Sequence, residues 1–129
     1  MIVYLETSAA VKVLFVEAES AGMAAYLAHV ASEGHSVVSS ALLETELRRT
    51  AIREASPQAS VTSLLDRLDI FDVARPIYTA AGVLPGANLR SLDALHIAAA
   101  LHIGADLMVS YDRRQIEAAE ACGLRTVSP

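Results

Sequence analysis

Cysteine is nearly absent from this 129-residue chain, and tryptophan is missing altogether. The single thiol, Cys122, has no partner for an internal disulfide, so the core must hold the fold and a reducing compartment is the natural setting. Aromatic residues make up only 5% of the chain, and no segment carries the stacking aromatics of an RNA-recognition sheet. With 4 prolines and 6 glycines in a chain that is 53% hydrophobic and 19% charged, low complexity and disorder are excluded. Lysine occurs once, as Lys12, and the formal net charge is −5, so the chain has no global attraction for a polyanion. Any contact with nucleic acid must rest on local arginines or bound cations. Long hydrophobic runs are lacking too. The weakly polar stretch Ala94–Ala105 is broken by His96 and His102 and is too short to span a bilayer. The N-terminus, MIVYL, has no basic leader and meets Glu6 at once, which leads to the expectation of a cytoplasmic protein that does not enter a membrane.

What the chain does have is a rhythm of short apolar strands and longer helical segments. Ile2–Leu5 reads as a buried strand, and Thr7 or Ser8 can cap a helix running to Phe15. A second helix covers Ala18–Ser32 and exits near Gly34. His35–Ser39 is the next strand, and Ser40 starts a helix reaching Glu54. Pro57 opens another helix that continues through Leu68. Ile70–Val73 is a short strand, and Pro76 opens a helix to Leu84. Pro85–Asn88 is a loop, and Ser91 precedes a helix that leaves at Gly104. Leu107–Ser110 is a strand, Asp112 caps a helix stopped by Gly123, and Arg125–Val127 is a last short strand. Such alternation predicts one α/β domain over residues 1–129, with a short, mostly parallel central sheet flanked by helices on both faces.

In open α/β sheets, ligands collect at the carboxyl ends of the strands. Glu6 and Asp112 stand at two such exits, after IVYL and LMVSY. Each also has a structural reading, Glu6 as a favourable charge at a helix start and Asp112 as a cap with Gln115 three residues on. Glu46 is sharpened by its neighbour Glu44. The two are about 200° apart on a helix turning ~100° per residue. Glu44 has Arg48 at ion-pair spacing, whereas Glu46 borders the apolar face near Leu42 and Leu43, where a carboxylate needs a partner. Asp93, in the first turn of its helix, sits similarly over Ile97. Carboxylates drawn to one sheet end repel one another, a conflict that a hard divalent cation removes; all-oxygen donors favour Mg²⁺ or Mn²⁺. His96 and His102, six residues apart, point to different faces and form no zinc set; His96 is read as making a local hydrogen bond.

Four stretches then resemble, in order, the PIN-domain family and its VapC subgroup. YLETSAAVK resembles the opening strand and turn, SSALLETELRR the helix with its internal Glu, RSLDALHIAAA the segment of the third acid, and VSYDRRQIEAAEACGLRTVSP the closing block. The resemblance runs from Ile2 to Pro129. It implies that Glu6, Glu46, Asp93 and Asp112 form an acidic catalytic pocket holding one or two Mg²⁺ or Mn²⁺ ions, with Glu6 and Asp93 the principal ligands. It implies hydrolysis of RNA phosphodiester bonds, with Ser8 and Ser110 as polar neighbours of the phosphate and Arg113 among the arginines that contact the backbone. A VapB-like antitoxin partner and a homodimer are implied as well; the apolar stretches near Val11–Val16 and Met23–Leu27 suit either a dimer surface or core packing. One departure stands out, since Glu6 replaces the family's usual Asp and reaches ~1.5 Å further. That keeps a second reading open, a catalytically weakened PIN domain that binds RNA or an antitoxin. A haloacid-dehalogenase-like phosphatase needs a nucleophilic Asp and a second Asp two residues later, which Glu6-Thr7-Ser8 does not supply. A receiver domain needs a late lysine, and the chain has none.

Overall fold

The computed structural model describes residues 1–129. Five strands are laid down in chain order: β1 (Ile2–Leu5), β2 (Ser36–Ser40), β3 (Asp69–Phe71), β4 (Leu107–Val109) and β5 (Arg125–Val127). Seven helices connect them: α1 (Thr7–Leu14), α2 (Ser20–Ser32), α3 (Leu42–Arg53), α4 (Gln58–Leu65), α5 (Arg75–Gly82), α6 (Ser91–Ile103) and α7 (Arg113–Ala121). The sheet order is β3-β2-β1-β4-β5, and every neighbouring pair is parallel. The chain therefore steps outward from β1 in one direction, returns across the sheet, and steps outward from β4 in the other. Right-handed crossovers then require the two series of helices to lie on opposite faces.

The core shows this division residue by residue. Side chains alternate along a strand, so Val3 and Leu5 face one side of β1 and Tyr4 the other. Val3, Leu5, Leu107 and Val109 pack with Ala9, Met23, Leu43, Leu47, Val61 and Leu64 of α1–α4. Tyr4, Val38 and Met108 pack with Ile77, Ile97, Ala99 and Ala119 of α5–α7. Each fully buried Leu, Met or Ile in these clusters stabilises the fold by roughly 1.5–3 kcal/mol. Ala98, Ala99 and Ala100 of α6 are all buried, and their small side chains let that helix pack closely among its neighbours on this face.

Most element boundaries agree with the sequence reading; a few shift for physical reasons. The helix after Pro57 ends at Leu65 rather than Leu68, and Leu68 instead packs against the α1–α4 core from the following turn. The third strand is Asp69–Phe71, not Ile70–Val73. All its residues are exposed at the sheet edge, so no buried alternation marks its limits. Of the two readings of Val11–Val16 and Met23–Leu27, core packing accounts for most of these residues: Met23 is buried, and Val11, Val13, Leu14, Tyr26 and Leu27 pack against the core, leaving Val16 bare. No helix is long and apolar enough to cross a membrane.

Candidate functional site

The sheet order reverses between β1 and β4, which makes the crevice beyond their carboxyl ends the natural ligand position. Glu6 leaves β1 there and is itself the N-cap of α1, a role the sequence had assigned to Thr7 or Ser8. Its Oε2 accepts from the Ser8 backbone N–H at 2.9 Å, the Ser8 hydroxyl at 2.5 Å and the Ser110 hydroxyl at 3.0 Å. The Ser8 hydroxyl also accepts from the Tyr111 N–H at 2.8 Å, and the Ser110 hydroxyl from the Asp112 N–H at 3.1 Å. Ser8 and Ser110 thus stitch the β1–α1 turn to the β4–α7 turn around the Glu6 carboxylate. Gln115 of α7, wholly buried, closes the remaining side. In the orientation that faces its amide N–H groups toward acceptors, its nitrogen lies 3.1 Å from Oε1 and 3.3 Å from Oε2 of Glu6. Glu6 is 4% exposed, and burial raises its pKa even against these donors.

Asp93 rides in the first turn of α6, half-buried. Burial raises its pKa first, followed by the negative charges of Asp112 and Glu46, while His96 and Arg90 pull the other way. Asp112 and Glu46 therefore both lie within electrostatic reach of Asp93. Asp112 is the N-cap of α7, accepting from the N–H groups of Arg114 at 3.0 Å and Gln115 at 3.3 Å. Glu44 pairs with Arg48 at 2.7 Å on the surface, as the helix spacing predicts. Glu46, on the opposite side of α3, meets the imidazole Nε2 of His96 at 2.5 Å. His96 is 1% exposed, and its Nδ1 lies 2.7 Å from the Tyr4 hydroxyl oxygen. Its partners are 50 and 92 residues away in sequence, so the expectation of a local hydrogen bond was wrong. Burial pushes the Tyr4 hydroxyl up to about 12.

All four acids singled out from the sequence lie at the same end of the sheet. They do not form a ready cage: no three His, Cys, Asp or Glu side chains converge on a point that could hold a metal ion. Glu6 and Asp112 turn to donors two residues on, and Glu46 turns to His96. The chemistry of the set still fits a hard cation. It is a group of oxygen donors in which Asp93 feels the negative charges of Asp112 and Glu46, with Arg90 among the groups that offset them. Beside Asp93 runs a groove of about 740 Å³, walled by Asn88, Leu89 and Arg90 on one side and by Arg114 and Glu117 of α7 on the other. Of the arginines that the sequence offered for backbone contact, Arg90 and Arg114 line this groove and Arg113 does not.

The sequence reading missed Tyr4 and gave His96 and Gln115 only structural roles. One signal was available for His96, which lies three residues after Asp93 and so shares its helix face.

Residues 3–121 match the PIN domain family. Ribonuclease VapC35 of Mycobacterium tuberculosis is 43% identical over 133 residues, an alignment covering 98% of this chain and 96% of that protein. Ribonuclease VapC47 of the same species is 35% identical over 131 residues, with coverage of 98% and 96%. Among solved structures, the fold is similar to Mycobacterium tuberculosis VapC20, described as a toxin cleaving the sarcin-ricin loop (TM-score 0.76, 18% identity, 98% of this chain and 99% of that one). It is also similar to a chain of VapBC2 from Rickettsia felis bound to a promoter DNA fragment (TM-score 0.75, 20% identity, 98% of each chain).

Proposed function

The chain belongs to the PIN domain family, and from that premise we propose that it is a divalent-metal-dependent endoribonuclease, the toxin of a toxin–antitoxin pair. The observation that carries the reading is the crowding of Glu6, Glu46, Asp93 and Asp112 at one end of the sheet, beside a groove flanked by two arginines. The ribonuclease names of relatives at 35–43% identity support it.

In this reading Glu6 and Asp93 are the principal ligands of a Mg²⁺ or Mn²⁺ ion, and Glu46 and Asp112 complete the pocket. When bound, the ion supplies Lewis acidity toward water and the phosphoryl oxygen. The chain's own residues do the rest. Donors from Ser8, Ser110 and Gln115 hold Glu6 in place and favour its ionised form, the form a ligand must take, against the pull of burial. The position of Asp93 in the first turn of α6 favours its negative charge in the same way. Arg90 and Arg114 take phosphates of the RNA backbone along the groove, which sets register without reading sequence. Hydrolysis adds water across a P–O bond; the water oxygen joins phosphorus, and the departing ribose oxygen leaves with a proton.

A partner follows from the same electrostatics. A cluster of acids in a chain of net charge −5 attracts a basic segment, and an antitoxin of the VapB kind that inserts one would compete directly with the cation. In this reading the protein works in the cytoplasm, where it meets both RNA and the antitoxin.

Cleavage of an RNA substrate, assayed with Mg²⁺ or Mn²⁺ and with EDTA, tests the reading. Wild type is expected to cut only with the metal. Cleavage that survives EDTA, or RNA binding without any cleavage, would overturn it, the latter in favour of a binding module.

A further inference from the structure

The site contains an imidazole that the hydrolytic reading leaves unused. His96 joins four elements. From α6, its Nε2 faces Glu46 Oε1 of α3 at 2.5 Å, with Thr7 Oγ1 of α1 further off at 3.3 Å. Its Nδ1 meets the Tyr4 hydroxyl just inside the end of β1 at 2.7 Å, and Tyr4 in turn bonds Ser40 Oγ at the end of β2, at 2.9 Å. The Tyr4 and His96 rings meet edge to face, with centroids 5.8 Å apart and planes at 75°.

A carboxylate oxygen only accepts, so Nε2 must carry a hydrogen toward Glu46. Nδ1 is occupied by Tyr4. Both ring nitrogens are therefore committed, and the imidazole is not free to ligate a metal itself. The surroundings make the arrangement conspicuous. Ile97, Ala98, Ala99 and Ala100 follow on the same helix, all buried and apolar, and a hydrophobic side chain at 96 would pack among them without the need for a polar network. The chain Ser40–Tyr4–His96 leads to Glu46, whose side chain is 25% exposed, as well as to the buried Thr7. A glutamate has three side-chain torsions, and a partner at Oε1 removes most of that freedom while leaving Oε2 without a protein partner.

We propose that His96, braced by Tyr4 and Ser40, is a positioning residue that aims the Glu46 carboxylate into the cation pocket. The inference rests on the reading of Glu46 as part of that pocket. It predicts coupling: His96 matters to the cation only through Glu46.

The test is Mn²⁺ affinity of the intact protein without RNA, measured by electron paramagnetic resonance or calorimetry, with the melting temperature of each variant recorded alongside. His96→Leu is expected to weaken Mn²⁺ binding about tenfold, the scale typical of lost outer-shell partners. Tyr4→Phe should produce a smaller loss in the same direction. His96→Gln, whose amide N–H can take the place of the Nε2–H, should retain most of the affinity. In a Glu46→Gln background, His96→Leu should have no further effect. Equal losses in both backgrounds, or wild-type affinity in a folded His96→Leu protein, would overturn the inference. If His96→Leu does not fold, Tyr4→Phe with and without Glu46→Gln runs the same cycle with the same criteria. A wild type that binds no Mn²⁺ brings down the metal reading and this inference together; wild-type binding with an additive cycle brings down the inference alone.

Discussion

The two ends of the sheet handle acidic residues in opposite ways. At the amino end, Asp106 accepts the Ile2 N–H at 2.6 Å, an exposed contact that simply ties the start of β1 to the segment before β4. At the carboxyl end, Glu6 is sunk below the surface, its pKa raised by burial, and Asp93 feels both burial and the charges of Asp112 and Glu46. Exposed acids are ordinary, since water solvates them. Several partly desolvated acids in one place oppose folding unless something at that place rewards them. That contrast is the physical ground for placing the proposed site at the carboxyl end of the sheet.

The sharpest way to break this comparison is to neutralise one acid from each end. Asp93→Asn should lower RNA cleavage by about a hundredfold or more, because a cation ligand contributes several kcal/mol to the transition state and each ~1.4 kcal/mol is tenfold in rate. Asp106→Asn should leave cleavage unchanged. Equal activity of the two variants in a single-turnover assay would erase the distinction between the ends.

A smaller effect concerns the groove. Arg90→Ala and Arg114→Ala should each raise KM for RNA about tenfold with little change in kcat, the signature of lost phosphate contacts, and each should flatten the dependence of binding on salt. Arg113→Ala, outside the groove, is the comparison; a larger KM effect there than at Arg114 would redraw the substrate path.

The mildest prediction is thermal. Because burial raises the Glu6 pKa, the folded chain binds a proton that the unfolded chain has already released. This carboxyl therefore favours folding below the ordinary carboxylate range, and that contribution is lost as pH climbs through the raised value. Glu6→Gln removes the loss. Without divalent metal it should melt a few degrees above wild type near pH ~8, with the gap closing toward pH ~4. Excess Mn²⁺ should reverse the order, since a ligand at about 100 times its Kd stabilises the protein that binds it by roughly 2.7 kcal/mol. Melting curves across pH that show no difference between the two proteins would mean that Glu6 carries no penalty to relieve.

Much of this was legible in the residues. The strand–helix alternation foretold the parallel sheet, and the spacing of Glu44, Glu46 and Arg48 correctly separated a surface ion pair from a carboxylate needing an inner partner. The identity of that partner was hidden, because contacts between Glu46, His96 and Tyr4 across 50 and 92 residues leave no local pattern. Gln115 was read as part of a capping box, a local role, whereas its side chain turns inward to Glu6. Arg113 and Arg114 are about 100° apart on a helix, and choosing between them required knowing where the groove runs. The edge strand β3 was misplaced by a residue or two because exposed strands lack the buried alternation that marks the others.

Diffraction from Mn²⁺-soaked crystals, collected to reveal anomalous scattering, bears most directly on the claim that these carboxylates serve a cation. A single strong peak, or a close pair, between Glu6 and Asp93 is the predicted result, with Glu6 drawn toward it. A peak remote from both residues, or none at saturating Mn²⁺, would contradict the account.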